Sequence, residues 1–511
     1  MEETVNRIPY EIWEQISRYF RIQQLCRIMS VHRAFYDTAM NELYRSIDWR
    51  EFDRNMAKTL ICMHRNPALA ARVRTLHIAA PMLEALYSVA QDSSEGTIKT
   101  FENIQSQHLA VDGLGKESTP ETAGTQVEKR LRVGNEKPSD AREWMETALS
   151  NMVNIETCTF NSTQVPTAAE PATRVLQKTL SQCVRKLVLD CGRASELQML
   201  VSSSFQLRHL EDLEIILRFH PGTSSTQRHL DQKFVADRFA PFVNALHPTL
   251  VSLSVIATHG IDYSTFFDGI DVLPHLHQLF LWLDFDDQEF SKPNSLIHFL
   301  RENSSQLTSV TLRSLPSSDS TWRKFASGLE SDPQIFSGLR SLTIFRLPLD
   351  LKFVSSLIQR SKNTLKCLHV EQCPLELQQV RQLVSTLGET PVISLELEVN
   401  IFSPAVLDLL SKELPWLESL DITFDKVGSV HVDSRGEFVT TEFDDYVWTH
   451  YRFTSLIATD RYKGWALSEL RLRSHSYNDD SVLVYQILRS IADATPNLSI
   501  VNGKSAERWH S

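Results

Sequence analysis

The chain has 511 residues, of which 42% are hydrophobic and 23% charged, and its formal net charge is −11. This length exceeds what one compact core fills, and the ordinary composition excludes a wholly disordered chain, so we expect several domains or one elongated repeat array. The acidic balance argues against nucleic acid as a partner, because phosphate binding requires a basic surface.

Cysteine usage and apolar segments indicate the compartment. The seven cysteines are scattered and form no Cys-x-x-Cys pair, which is typical of reduced thiols rather than of a disulfide framework. The N-terminus lacks the apolar run of a signal peptide, and no stretch approaches the roughly 18 apolar residues of a membrane span. We therefore expect a soluble protein of the cytoplasm, the nucleus or both, with no membrane partner.

Residues 1–50 predict a small, all-α module. Pro9 suits the first turn of a helix whose apolar face starts at Ile12, and two further helical stretches surround Leu25 and Phe35. So small a unit buries little surface by itself. Either its apolar residues form only an internal core, or some of them are covered by a partner.

The rest of the chain divides by composition. Residues 51–87 predict a helical linker with a first repeat-like unit. Residues 88–142 are rich in Gly, Pro and Ser and poor in large apolar residues, which predicts a disordered insertion. A repeat array is expected over 143–503, interrupted by an insertion near 425–450, and 504–511 form a tail.

A strand-like pattern recurs along the array: an apolar residue, two variable residues, an apolar residue, one variable residue and a third apolar residue. It runs from Val184-Leu187-Leu189 to Leu467-Leu470-Leu472, and most intervals lie near the ~20–29 residues of leucine-rich repeats, with a few longer ones. Its best copy, residues 365–375 (LKCLHVEQCPL), fits L-x-x-L-x-L-x-x-C-x-L. Amphipathic helical segments lie between the copies, so we expect an α/β fold in which parallel strands and crossover helices stack into a curved, leucine-rich-repeat-like solenoid.

Residues 7–45 resemble an F-box. The family pattern is a Leu-Pro pair, a Glu-Ile pair, spaced apolar helix positions and a closing Val-x-[Arg/Lys]-x-Phe. The residues at the apolar and proline positions of that pattern are Ile8, Pro9, Ile12, Ile16, Leu25, Ile28, Val31 and Phe35. Ile8 replaces the usual Leu, and His32-Arg33-Ala34 is a loose version of the family's basic segment.

The resemblance implies a function. An F-box binds a Skp-type adaptor, which docks onto a cullin-RING ubiquitin ligase, and a solenoid after the box selects the protein substrate. The eight residues just named would form the adaptor-binding surface, and the chain would supply no catalytic residue. The alternative is a leucine-rich-repeat scaffold outside any ligase, in which the box-like helices only cap the array.

The sequence lacks the common nucleotide-binding and catalytic motifs. It contains no P-loop, G-x-G-x-x-G, H-E-x-x-H or G-x-S-x-G motif, so we expect no enzyme and no cofactor. His275 and His277 share one face of a predicted strand, a spacing more typical of solvated polar residues than of a metal site.

The inner face of the strands is the candidate substrate-binding surface. Because strand side chains alternate, the residues that flank the second and third apolar positions point to this face. They form an aromatic centre and an acidic stretch: Phe280, Trp282 and Phe345, then Glu371, Glu396, Glu398 and Asp421. Aromatic anchors beside charge favour a partner with an apolar anchor and nearby Lys or Arg. A covering segment or a register shift of one residue would remove the aromatic anchors from this face.

Overall fold

The structure is a computed structural model, and it describes a set of ranges of the chain: 8–51, 53–80, 82–83, 141–162, 170–192, 197, 201, 207–218, 224–258, 260–285, 290–314, 319–346, 351–432, 438–442, 453–457, 461–475 and 482–505. The predicted insertion at 88–142 lies outside these ranges except for its last two residues, which begin a helix. Two compact units are present, Met1–Leu250 and Val251–Ser511.

The first unit alternates helices with parallel strands. Its helices are α1 (Tyr10–Ser17), α2 (Ile22–Ile28), α3 (Arg33–Tyr44), α4 (Arg54–Arg65), α5 (Pro67–Ala70), α6 (Ala141–Asn151), α7 (Glu170–Cys183), α8 (Ser225–Phe234) and α9 (Ala240–Ala245), with a π-helical turn at Val235–Phe239. Its strands are β1 (Ser46–Trp49), β2 (Thr75–Ala79), β3 (Thr157–Ser162), β4 (Lys186–Cys191) and β5 (Asp212–Arg218). Each strand pairs in parallel with the next in chain order.

The second unit continues the same alternation. Its helices are α10 (Ser264–Asp268), α11 (Pro293–Glu302), α12 (Asp319–Glu330), α13 (Leu351–Arg360), α14 (Leu377–Leu387), α15 (Pro404–Glu413) and α16 (Val482–Ala494). Its strands are β6 (Ser252–Thr258), β7 (Gln278–Trp282), β8 (Ser309–Arg313), β9 (Ser341–Phe345), β10 (Cys367–Leu375), β11 (Ser394–Phe402), β12 (Ser419–Val432), β13 (Phe438–Glu442), β14 (Glu469–Ser474), β15 (Ile500–Val501) and β16 (Lys504–Ser505). From β6 to β12 and on to β14 and β15, neighbours are parallel.

Rows of aliphatic side chains across the strands build the core. The second apolar position of the repeat pattern lies in one buried row: Leu253, Leu279, Val310, Leu342, Leu368, Leu395, Leu420 and Leu470. Parallel strands place equivalent residues side by side, so an apolar position repeated in sequence becomes a continuous apolar row. The prediction of an α/β fold with parallel strands and crossover helices is confirmed.

Three boundaries differ from the expectations. Residues 46–49 were expected to end the helical module but form β1, which pairs with β2. The insertion expected near 425–450 begins as a continuation of β12, which turns back into the antiparallel strand β13. Lys504 and Ser505 of the expected tail pair with β15.

All seven cysteines are free thiols. Within the described ranges no helix combines the length and apolar character needed to cross a bilayer.

Candidate protein-interaction surfaces

Helices α1, α2 and α3 fold around a small core. Leu25 and Phe35 are buried at its centre together with Ala39, and the partly buried Trp13 packs against them. The Trp13 ring meets the Phe35 ring edge-on, with 5.4 Å between the centroids. Ile16, Ile28 and Met29 complete this core from its partly exposed edge.

The other motif positions face outward. Ile8 and Pro9 are exposed, Ile12 is 44% exposed and Val31 is 62% exposed. Large exposed hydrophobic residues are concentrated in this region, since nine of the seventeen among the described residues lie between positions 8 and 43. The eight residues predicted to bind an adaptor therefore divide into a core set and an apolar surface set.

An ion pair fixes the helical module to the segment before β2. Arg72 donates a hydrogen bond to Asp37 on α3 at 2.8 Å and also binds the side chain of Asn41. Burial acts to raise the pKa of Asp37, but the hydrogen bond and charge of Arg72 outweigh burial and hold that pKa below its usual value. Asp37 is therefore a carboxylate over most of the pH range, and the pair persists at neutral pH.

The strand alternation places the predicted aromatic centre on the face opposite the leucine rows. Phe280 and Trp282 are partly exposed, whereas Phe345 is buried. Arg313 explains that burial, since its guanidinium carbon lies 3.7 Å from the Trp282 ring centroid and 3.8 Å from the Phe345 ring centroid. The two rings thus enclose a cation of the same chain, and their facing surfaces are not open to a partner.

The predicted acidic stretch is largely paired. Arg473 on β14 bonds both Glu396 and Asp421, the latter at 2.9 Å. Burial raises the pKa of Asp421, although Arg473 lowers it in part. Glu398 is buried, and its Oε1 lies within hydrogen-bond distance of Nε2 of His475, at 3.1 Å. These carboxylates are therefore largely engaged by side chains of the same chain, although the surface keeps a negative balance.

Glu371 belongs to a group with ligand-like side chains. Its carboxylate, that of Glu396 and the imidazole of His369 place their ligating atoms within 4.8 Å of one another. Arg473 already bonds Glu396, and a guanidinium beside the site would repel a metal cation. We assign no metal to this group.

Arg313 and Arg473 are the functional candidates that the sequence-based site omitted. Both follow the third apolar residue of their repeats, in register with Trp282 and Thr423 on the preceding strands. Side-chain alternation, by which the aromatic and acidic residues were identified, also places these arginines on the same face. The sequence pattern could therefore have identified them as well.

The fold and these two surfaces define an α/β protein of parallel, helix-connected strands that carries an exposed apolar helical module at its N-terminal side. The chain matches no protein-family model and no curated protein in sequence comparison.

Proposed function

We propose that the chain is the substrate-recognition subunit of a cullin-RING ubiquitin ligase. The helices α1–α3 bind a Skp-type adaptor, and the second unit binds the substrate protein. The observation that carries this proposal is the concentration of exposed large hydrophobic residues between positions 8 and 43. An apolar surface of this kind on a small module is typical of a protein-interaction site.

The division of the motif positions supports the proposal. Leu25 and Phe35 hold the three helices together, so they supply the scaffold. Ile8, Ile12 and Val31 contribute little to that core and remain available to a partner. A binding module requires both sets, because the surface set has no fixed arrangement without the core set.

The second unit supports the receptor role through its charged and aromatic face. Arg313, Trp282 and Phe345 form a preorganised cluster, and Arg473 orders the neighbouring acidic side chains. Rigid aromatic and arginine side chains are the residue types that contribute most to protein–protein binding. The proposal assigns no catalytic residue or cofactor to the chain.

Adaptor capture tests the proposal. The purified chain is expected to retain a purified Skp-type adaptor on an affinity resin, and the Pro9→Ala/Ile12→Ala double variant is expected to lose it. Both residues are exposed, so the melting temperature of the double variant should match that of the original chain. Adaptor retention by the double variant at the original level would contradict the F-box assignment.

The alternative is a scaffold outside any ligase, whose helical module caps the strand array. The contact that favours it is the bonding of Arg72 to Asp37 and Asn41, which fixes α3 against the start of the strand array. Under this alternative the chain does not bind the adaptor, although Leu25→Ala lowers the stability of the first unit under both proposals.

A further inference from the structure

Arg313 is held between two aromatic rings at the carboxyl ends of three adjacent strands. Trp282, Arg313 and Phe345 are the last residues of β7, β8 and β9, and they are direct register partners. Because equivalent residues of parallel strands point the same way, the three side chains stack across the sheet. Both faces of the guanidinium are thereby covered, and its conformational freedom is removed before any partner arrives.

The stacked guanidinium has no hydrogen-bond acceptor or carboxylate partner among the described residues. Its Nε is buried without a partner, and so is Nε1 of Trp282. Arg313 is nevertheless partly exposed, and because its two faces and its Nε are covered, the exposed part is the outer edge of the guanidinium. Burial lowers the pKa of Arg313, with a further contribution from Arg346, yet an arginine remains charged at neutral pH.

A second arginine stands beside this cluster. Arg346 follows β9 directly, is exposed, and lies 5.8 Å from the Phe345 ring centroid. Its φ of 56° lies in the left-handed region, which non-glycine residues seldom adopt and which is often found at binding sites. No described acceptor or carboxylate binds its guanidinium.

We propose that Arg313 and Arg346 form a receptor for the carboxylate of a single Asp or Glu side chain in a peptide segment of a partner protein. The inference rests on the proposed role of the second unit as a substrate receptor. A guanidinium that is covered on both faces offers only its edge, and this edge matches the two coplanar oxygens of a carboxylate. Partial burial strengthens such a bond, because water competes less for the donors.

The local charges favour a single carboxylate over a phosphate or a nucleic-acid backbone. Two arginines are offset by Glu371, whose charge acts on Arg313. One monoanion therefore neutralises the site. The neighbouring strands present Glu396, Glu398 and Asp421, which repel a dianion or a polyanion.

The partner proposed for this site differs from the partner expected from the sequence. A segment with an apolar anchor and Lys or Arg was expected to insert against Trp282 and Phe345. Arg313 already fills the space between these rings, and the acidic residues farther along the face already bind Arg473. Among the described residues, the charge without an ion-pair partner at the carboxyl ends of β8 and β9 is positive, so the partner is expected to present a single carboxylate there.

A peptide array tests the proposal on the full chain without any adaptor. The probes are random decapeptides synthesised in matched sets that differ only at one central residue: Glu, Gln or phosphoserine. The purified chain is expected to prefer the Glu member of each bound set, with a loss of about tenfold to a hundredfold in affinity for the Gln member, as for the loss of a charge-assisted bidentate bond. These matched peptides test the site even if a variant fails to fold.

The variants localise the effect. Arg313→Lys retains the charge but loses the planar fork, and it is expected to lose most of the preference for Glu over Gln. The control is Arg323→Lys, an exposed arginine on α12, which should leave the preference unchanged. Melting temperatures of both variants confirm that they are folded.

Three outcomes would overturn the proposal: binding of no peptide, equal binding of Glu and Gln members, or binding of phosphoserine members alone. Retention of the full preference by Arg313→Lys would also overturn it. The array contains no adaptor, so the two proposals can fail separately. Adaptor capture without any peptide preference rejects the carboxylate site alone. A peptide preference without adaptor capture rejects the ligase assignment alone.

Discussion

Replacement of Arg473 by Met tests how the acidic residues of the second unit are stabilised. Arg473 binds two carboxylates, those of Glu396 and Asp421, whose side chains are 14% and 16% exposed. Its own side chain is 46% exposed, so water screens part of the interaction. Loss of a partner from a fully buried charge costs about 3–5 kcal/mol, and the half-exposed cation reduces the expected loss to about 1.5–3 kcal/mol.

The loss should depend on pH in a defined direction. Burial already raises the pKa of Asp421, and removal of Arg473 raises it further, above the value in the unfolded chain. A carboxyl group whose folded pKa is raised destabilises the fold above that pKa and ceases to do so once it is protonated. The destabilisation by Arg473→Met is therefore expected to be largest near pH 7 and to shrink as the pH falls toward the ordinary carboxyl pKa of about 4.

Urea unfolding of the full chain at both pH values measures this effect. The matched control is Arg471→Met, two residues earlier on the same strand, because among the described residues Arg471 bonds the partly exposed Glu469 at 2.8 Å and acts on Asp421 through its charge alone. The control is expected to change stability by less than about 1 kcal/mol. Equal losses for the two variants, or a loss for Arg473→Met that grows on acidification, would refute the ionic network as the source of stability.

Two further sets of substitutions test contacts inside each unit. In a double-mutant cycle, Asp37→Asn and Arg72→Met should show a coupling of about 1 kcal/mol at pH 7. The pKa of Asp37 is depressed in the folded chain, so this stabilisation is present above the usual carboxyl pKa and is lost as the pH falls through the folded value. A coupling energy that persists at pH 2 would show that the charge of Asp37 is not its source. In α12, Gly328→Ala would place a methyl group 2.2 Å from Cδ1 of Ile297, so thermal denaturation should show a loss of about 1–2 kcal/mol despite better helix propensity. Adding Ile297→Val removes that methyl and should recover most of the loss; if it does not, the clash is not the cause.

The strands of the array were predictable because each repeat brings its apolar residues to the same buried rows. Strand β1 was missed because Ile47 and Trp49 are its only apolar residues and it follows α3 directly. Strand β13 was missed because it pairs with the extension of β12, a local hairpin outside the repeat pattern. Side-chain alternation depends only on the backbone, so the residues of the inner face could be identified from the register.

The contacts on that face were not predictable from the pattern. Arg473 reaches Glu396 across 77 residues of chain and Asp421 across 52, and the choice of partner depends on side-chain conformation. In the helical module, helical periodicity identified Ile12 and Leu25 as apolar positions. It did not show that Leu25 is 2% exposed while Ile12 remains on the surface. The packing of the three helices decides which of their apolar residues are buried between them.

The most direct test of the ligase assignment is a calorimetric titration of the chain with a purified Skp-type adaptor, using two variants of matched exposure. Val31→Ser removes an apolar side chain that is 62% exposed on the helical module, and Val482→Ser removes one that is 64% exposed on α16. Burial of the remaining Val31 surface in an interface is worth about 1–2 kcal/mol, so Val31→Ser should weaken adaptor binding by about five- to thirtyfold, whereas Val482→Ser should leave it unchanged. Equal dissociation constants for the two variants, or no heat of binding with the original chain, would contradict the account.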